Sequence, residues 1–129
     1  MVSNEELVSM SKEAKGKAYA PYSKFRVGAA LVSVTGEIFL GCNIENVSYS
    51  PTICAERTAF VKAVSEGNVK FSKIAISTDA ENLSFPCGVC RQFMTEFCDE
   101  EFQIIISNNK ESKSFTFGEI FPHRFILKD

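Results

Sequence analysis

The arrangement of three cysteines constrains the fold of this chain more than any other feature of its sequence. Cys54 stands where one predicted helix begins, and Cys87 and Cys90 stand where the next one begins. In open α/β sheets, helix starts of this kind converge on the crevice beside the ends of the strands. The pattern therefore predicts a sheet with helices packed on its faces and three thiols gathered at one point.

The alternation of helix and strand signals along the chain supports this fold class. Ser3 with Glu6 has the spacing of a capping box and opens a helix predicted to run to about Ala18. Strands are predicted at 26–34, 37–41, 73–78, 102–107 and 114–117, and further helices from Ile53 and from Pro86, the latter at a first helical position. The connection 108–113 is too short for a helix, so the last two strands should be antiparallel. This order predicts an α/β fold with a mixed sheet, in one domain spanning residues 1–129.

The composition of the chain excludes several classes of protein. The residues are 45% hydrophobic and 23% charged, as in an ordinary globular domain. The net charge of -2 and the interspersed acids and bases give no reason to expect a nucleic-acid partner. No apolar run approaches the roughly 20 residues that span a bilayer, and the acidic N-terminus is not a signal peptide. We expect a cytoplasmic protein without a membrane partner.

The cysteine count directs attention to metal or redox chemistry. The chain has five cysteines, an odd number that argues against a disulfide framework in a cytoplasmic protein. Cys42 and Cys98 stand apart from the other three, and we expect them to be small buried packing residues.

The cysteines of the two helix starts have the chemistry of a catalytic zinc site. Three ligands, Cys54, Cys87 and Cys90, leave one tetrahedral position of zinc free for water. Three thiolates make the cluster anionic, and the two helix N-termini offset this charge. Arg57 lies one helical turn after Cys54 and can donate to the sulfurs. Glu56 can accept a proton from water and pass it on, and the nearby negative charge should raise its proton affinity.

Other interpretations of the same residues remain open at this point. The thiols could form two unrelated buried clusters, or a closed zinc module with a fourth ligand and no catalytic role. Cys87 and Cys90 could also be the active pair of a thiol redox protein. Arg57 could be an ordinary surface charge. The redox protein and the closed zinc module would both tolerate the loss of Glu56, whereas an enzyme of the kind described would not.

Longer motifs make the chain resemble a known family. Cys54-Ala55-Glu56 followed by Pro86-Cys87-Gly88-Val89-Cys90 resembles the zinc nucleobase deaminase signature in its three-cysteine form. The segments 19–31, 41–50, 54–59 and 86–92 resemble the homotetrameric zinc-dependent cytidine deaminases of pyrimidine salvage. The resemblance covers nearly the whole chain. It implies a deaminase-type α/β/α sandwich around a five-stranded mixed sheet whose last two strands are antiparallel.

The resemblance also implies a reaction, a cofactor and an assembly. The reaction is the hydrolytic deamination of cytidine and 2′-deoxycytidine to uridine and 2′-deoxyuridine, with release of ammonia. Zinc would be held by Cys54, Cys87 and Cys90, about one ion per chain. Glu56 would protonate N3 of the base and then the departing amine. A related cytosine nucleoside such as blasticidin S is the alternative substrate, and a homotetramer is the implied assembly.

By the same resemblance, six further residues contact the substrate. Asn43 and Glu45 would hold the ribose hydroxyls, since an amide and a carboxylate suit that task. Phe25 would pack against the base, and the backbone of Ala55 would bind the polar edge of the base. Tyr49 and Phe125 would reach into the site of a neighbouring subunit. The alternative for the three aromatic residues is an ordinary role in a core or an interface.

Overall fold

The structure is a computed structural model that describes residues 1–127 and forms a five-stranded sheet with four helices in that range. The helices are α1 (Asn4–Lys15), α2 (Ala55–Ser65), α3 (Gly88–Thr95) and α4 (Phe117–Ile120). The strands are β1 (Val27–Ser33), β2 (Ile38–Cys42), β3 (Phe71–Thr78), β4 (Gln103–Ser107) and β5 (Ser112–Thr116). Residues 128 and 129 of the predicted domain lie outside the described residues. None of the helices in 1–127 is long and apolar enough to cross a membrane.

The direction of the strands explains why α2 and α3 begin at the same edge of the sheet. The strand order is β2-β1-β3-β4-β5. Strand β1 is antiparallel to both β2 and β3, β3 is parallel to β4, and β4 is antiparallel to β5. Strands β2 and β3 therefore point the same way, and the helix that follows each of them starts at the same edge. The predicted mixed sheet with an antiparallel last pair is confirmed.

The helices cover both faces of the sheet. Along β1, Ala30 and Val32 face α1, where they pack with Leu7. Ala29 and Leu31 point to the opposite face because side chains alternate along a strand. There they join a core that includes buried residues of α2 and α3: Ala55, Ala59, Phe60, Ala63, Cys90 and Met94. Burial of one large side chain such as Phe60 stabilises the fold by about 2 kcal/mol. The predicted α/β/α sandwich is confirmed.

A close contact between backbones sets the position of α2 on the sheet. A Cβ atom at Gly41 of β2 would lie 2.6 Å from the amide nitrogen of Ala59 and closer still to the carbonyl oxygen of Ala55. Real Cβ atoms essentially never come this near, so only glycine fits. The first turn of α2 therefore rests directly on β2, and the residues of that turn are held at the sheet edge.

Three predicted helix boundaries are wrong. Helix α1 ends at Lys15 rather than near Ala18, because the next amides bond three residues back in a tighter turn that begins at Gly16. Ile53 lies outside α2, since its backbone pairs with that of Ile44 in an isolated bridge. Pro86 precedes α3 rather than opening it. In the last two cases a cysteine, Cys54 or Cys87, takes the N-cap position.

Candidate active site

Three thiols meet at the sheet edge where α2 and α3 begin. Cys54 caps α2, Cys87 caps α3, and Cys90 lies in the first turn of α3. The sulfur of Cys87 is 3.6 Å from that of Cys54 and 3.4 Å from that of Cys90. All three sulfurs lie within 4.8 Å of one another. Tetrahedral zinc with Zn–S bonds of about 2.3 Å spaces its thiolates by about 3.8 Å, so the donor set fits this metal.

The helix starts and one arginine compensate the charge of this cluster. The Cys87 sulfur accepts a hydrogen bond from the backbone amide of Cys90 at 3.4 Å, so the thiol itself caps α3. The positive end of each helix dipole also favours thiolate. Arg57 Nη2 donates to the Cys54 sulfur at 3.6 Å and to the carbonyl oxygen of Thr52 at 3.2 Å. The guanidinium therefore contacts the cluster, as the spacing from Cys54 predicts, and also holds the loop that leads into α2.

The thiols differ in how readily they lose a proton. The neighbouring Cys90 thiol lowers the pKa of Cys54 to about 5, and hydrogen bonds with Arg57 and Cys87 act in the same direction. The pKa of Cys90 is raised by the neighbouring Cys54 and by burial. Of these two residues, Cys54 is therefore the one whose thiolate is favoured. A divalent metal that binds here must displace the proton that Cys90 retains, so metal binding releases protons.

Glu56 is a buried carboxylic acid beside the thiols. It is 5% exposed and lines the same cavity as Cys54 and Cys87. Burial raises the pKa of Glu56 to about 7, and the negative charge of Cys54 acts in the same direction. A carboxyl group with a pKa near neutrality can both accept and donate a proton at physiological pH. The side chain therefore has the properties of a general base that later acts as a general acid.

A cavity of about 210 Å³ extends from the thiols to the loops on the other side of the crevice. Its lining residues are Phe25, Val27, Asn43, Thr52, Cys54, Ala55, Glu56, Ile76, Thr78, Ser84, Phe85 and Cys87. A second cavity of about 270 Å³ shares Thr52 with it and is lined also by Tyr22, Ser23, Glu45 and Tyr49. The first cavity is an apolar slot next to the acid and the thiols, and the second, beyond it, is lined by residues that carry hydroxyl and carboxyl groups.

Two polar side chains, Asn43 in the first cavity and Glu45 in the second, bind the backbone of the opposite loop. Asn43 is buried, and its Oδ1 accepts from the amide of Val27 at 2.9 Å while its Nδ2 donates to the carbonyl oxygen of Phe25 at 2.9 Å. Glu45 Oε1 accepts from the amides of Tyr22 and Ser23 at 3.0 and 3.1 Å. Each of these two side chains therefore supports the segment that carries Phe25.

The structure brings most, but not all, of the predicted site residues to one place. Phe25, Asn43, Cys54, Ala55, Glu56 and Cys87 line the first cavity, Cys90 and Arg57 lie behind it, and Glu45 and Tyr49 line the second. Phe125 lines neither of these two cavities and is 71% exposed, with its carbonyl oxygen accepting from Gln92 Nε2. Tyr49 is 82% exposed.

Several cavity residues escaped the sequence analysis. Thr78 ends β3 at the edge where the helices begin, and Phe85 precedes Pro86 in a predicted ligand motif. The position at a strand end could have indicated Thr78 as a cavity residue, and the position beside the ligand motif could have indicated Phe85. Ser23 lies in the segment 19–31 that carries the resemblance, but no role could be assigned to it, because its contacts with Glu45 join positions far apart in the sequence. The prediction that Cys42 is buried is wrong: it is half-buried, and its thiol donates to the carbonyl oxygen of Lys17. Cys98 is buried, as predicted.

Comparison with known proteins identifies relatives that cover nearly the whole chain. Residues 1–106 match the family model described as the cytidine and deoxycytidylate deaminase zinc-binding region. The chain is 47% identical over 126 residues to a cytidine deaminase of Sporosarcina psychrophila, covering 97% of this chain and 93% of the relative. It is 41% identical over 124 residues to a cytidine deaminase of Halalkalibacterium halodurans, covering 95% and 94%.

Solved structures show the same architecture. The crystal structure of a cytidine deaminase from Burkholderia pseudomallei superposes with a TM-score of 0.92 at 38% identity, covering 96% of this chain and all of the other. The crystal structure of a cytidine deaminase from Mycobacterium tuberculosis gives a TM-score of 0.84 at 32% identity, covering 98% of this chain and all of the other.

Proposed function

We propose a residue-level mechanism from the premise that this chain belongs to the cytidine and deoxycytidylate deaminase family. It is accordingly a zinc-dependent hydrolase that converts cytidine to uridine and ammonia. We further propose that 2′-deoxycytidine is also a substrate, that the enzyme acts in pyrimidine salvage, and that residues 1–129 form one catalytic domain. The observation that carries the mechanism is a buried carboxylic acid with a pKa of about 7 in the same cavity as the thiols.

Glu56 moves the protons in this mechanism. Zinc, when held by Cys54, Cys87 and Cys90, supplies the Lewis acidity that makes water a nucleophile near neutral pH. Glu56 takes a proton as the water oxygen bonds to C4 of the base, and delivers a proton to N3. The carboxylate of Glu56 then takes the remaining proton from the oxygen now bonded to C4 and passes it to the amino group, the C4–N bond breaks, and ammonia leaves. Oxygen replaces nitrogen at C4, and Glu56 returns to its starting state.

The rest of the cavity orients the nucleoside. Phe25 lines the slot and would pack against the base, because an exposed aromatic ring beside an apolar slot favours a planar heterocycle. The Ala55 backbone would bind the polar edge of the base. Asn43 and Glu45 would hold the ribose hydroxyls with the hydrogen-bonding capacity that their contacts to the loop leave free.

The decisive experiment is the Glu56→Gln substitution. Glutamine has nearly the same shape but cannot shuttle a proton, so we expect kcat for cytidine to fall by about a thousandfold or more. Zinc should stay at about one ion per chain, because the cysteine ligands are unchanged. Absorbance of cytidine and elemental analysis measure the two quantities. Glu66→Gln, an exposed glutamate at the other end of α2, is the matched control and should leave both unchanged.

The same experiment separates the enzyme from its alternatives. A thiol redox protein or a closed zinc module would not need the Glu56 carboxylate, and its chemistry would survive the substitution. Turnover of cytidine that persists in Glu56→Gln would contradict the proposed mechanism.

We also propose a homotetramer in which Tyr49 and Phe125 contact the site of a neighbouring subunit. The exposure of both rings in the single chain, 82% and 71%, supports this assembly. Phe125→Ala should raise KM for cytidine about tenfold through lost aromatic contact. Leu127→Ala, at a neighbouring exposed position, is the control. A sedimentation experiment that finds an active monomer would refute the assembly.

We propose a cytoplasmic enzyme that acts on free nucleosides, with no nucleic-acid or membrane partner. The five free cysteines and the net charge of -2 support this location and this choice of substrate. Recovery of the protein in the membrane fraction of lysed cells would contradict it.

A further inference from the structure

Residues 22–27, which we call the Phe25 segment, run from a turn through an irregular stretch to Val27, the first residue of β1. Lys24 has a φ of 63°, in the left-handed region that residues other than glycine rarely adopt. The backbone of this segment therefore depends on outside contacts to keep its shape. Asn43 supplies two of these contacts, at the carbonyl oxygen of Phe25 and the amide of Val27.

The hydroxyl group of Ser23 supplies another contact and has two partners. Its oxygen accepts from the amide of Phe25 at 3.0 Å, and its proton is donated to Oε2 of Glu45. The other oxygen of Glu45 accepts from the amides of Tyr22 and Ser23. The Ser23 hydroxyl thus joins the residue that faces the base to the residue that faces the sugar pocket.

The electrostatics of Glu45 reflect the same contact. The hydrogen bond with Ser23 is the main reason that the pKa of Glu45 is lowered from its ordinary value, and the amides of Ser23 and Tyr22 add to the effect. These bonds favour the carboxylate form. A carboxylate can accept about four hydrogen bonds, and three are used here, so it keeps room for a sugar hydroxyl.

We propose that Ser23 is a positioning residue that couples the base and sugar subsites of the deaminase cavity. The inference rests on the proposed function, because it assumes that Phe25 faces the base and Glu45 faces the sugar. The Ser23 hydroxyl holds the Phe25 backbone and the Glu45 carboxylate at a set separation. A nucleoside can then place its base and its sugar at the same time without rearrangement of the Phe25 backbone or of the Glu45 carboxylate.

The test is the kinetics of Ser23→Ala and Ser23→Thr. Ser23 is exposed, so neither substitution removes buried packing. In Ser23→Ala we expect KM for cytidine to rise about tenfold, as for the loss of a hydrogen bond to a charged group. We expect kcat to change less than about twofold, because the contacts of Glu56 and of the thiols are unaltered. Ser23→Thr keeps the hydroxyl and should restore most of the KM.

A second substrate tests the coupling itself. 2′,3′-Dideoxycytidine has the same base but lacks the 2′ and 3′ hydroxyl groups, so the orientation of the Glu45 carboxylate should affect its binding less. The rise in KM caused by Ser23→Ala should therefore be several-fold smaller for this substrate than for cytidine. Ser3→Ala is the structural control, because Ser3 likewise accepts a backbone amide and is paired with a glutamate, but it caps α1. It should lower the melting temperature and leave both KM values unchanged.

The possible failures are distinguishable. An unchanged KM in Ser23→Ala, equal losses in the alanine and threonine variants, or equal losses for the two substrates would each overturn the coupling role. A joint collapse of kcat and zinc content in Ser23→Ala would also overturn it, since that pattern marks general structural damage. A wild-type protein inactive on cytidine would instead overturn the proposed function.

Discussion

The two sides of the catalytic cavity are constructed in different ways. The side that we call the metal wall, formed by Cys54, Glu56, Cys87 and Cys90, sits on the first turns of two helices that pack into the core. The opposite side, the substrate wall, is formed by Phe25, Asn43 and Glu45 on segments outside the strands and helices. Side-chain hydrogen bonds to the backbone hold the substrate wall in shape.

This difference shows how each wall obtains its precision. On the metal wall, the helix geometry places Cys87 and Cys90 three residues apart on one face, and the contact of Gly41 with α2 sets the position of Cys54. On the substrate wall, the supporting bonds join residues far apart in sequence, such as Asn43 to Phe25 at a separation of 18 positions. The groups proposed to move protons therefore lie on helices packed into the core, where a fixed geometry over short distances is needed.

Loss of a metal ligand should have the largest effect. Cys87 is exposed, so Cys87→Ala should leave the protein folded while removing one of the three proposed zinc ligands. We expect zinc content to fall well below one ion per chain and kcat/KM for cytidine to fall by about a thousandfold or more. Elemental analysis and the absorbance assay measure this. Cys42→Ala removes a thiol outside the cluster and should change neither quantity. If Cys87→Ala keeps its zinc, the assignment of the metal site to this wall is wrong.

A smaller effect is expected on the substrate wall. Phe25→Ala should raise KM for cytidine about tenfold by removing an aromatic contact worth about 1 kcal/mol and its buried area. Zinc content and kcat should stay close to those of the wild type, because Phe25 is neither a proposed metal ligand nor the proton shuttle. Phe25→Leu keeps apolar area but lacks the ring, so its KM for cytidine should lie between those of the wild type and Phe25→Ala. A collapse of kcat together with zinc loss would show that the walls are not separate.

The smallest effect concerns the salt bridges at the end of β3. Asp79 bonds to Lys15 Nζ at 2.9 Å and to Arg26 Nε at 3.0 Å, and Arg26 adjoins Phe25. Burial opposes ionisation of Asp79, but the two cations outweigh it and lower its pKa below 3.8. Asp79→Asn should reduce the free energy of unfolding by about 1 kcal/mol at pH 7.

The pH dependence of that loss has a definite sign. Because the pKa of Asp79 is lower in the folded than in the unfolded protein, its stabilisation is fully present above the unfolded value of 3.8. It disappears as the pH falls through the lower folded value. Urea unfolding should therefore show the wild type and Asp79→Asn converging in acid, with exposed Glu81→Gln as the control. A difference that is constant with pH would argue against the ionic origin.

Sequence patterns predicted the structure best where the signal is local. Apolar runs bounded by turns placed the five strands to within a few residues, and the short connection before β5 correctly predicted an antiparallel pair. The predicted first residues of the helices were less accurate. Ile53 and Pro86 were assigned to helices, because composition does not show that a cysteine takes the N-cap or that Ile53 pairs with Ile44.

In the candidate site, too, the features that depend on local sequence were predictable and those that depend on distant contacts were not. The spacing of Cys87 and Cys90, the Cys-Ala-Glu run and the position of Arg57 are local patterns with a chemical meaning, and they pointed to zinc before any coordinates. The tasks of Asn43 and Glu45 followed only from resemblance to a family. Their contacts with the Phe25 segment, and the part played by Ser23, were beyond sequence reasoning, since a polar loop residue looks the same whether it is solvated or bonded to a distant backbone.

The linear order of residues was enough to predict the α/β class, the three thiols that could hold a metal ion and the acid beside them. These properties depend on periodicities of two and 3.6 residues and on ligand spacing within one helical turn. Folding decided the raised pKa of Glu56, the shape of the cavity and the support of its second wall. Those properties depend on burial and on hydrogen bonds between distant segments, which exist only once the sheet has brought β1, β2 and the two helix starts to one edge.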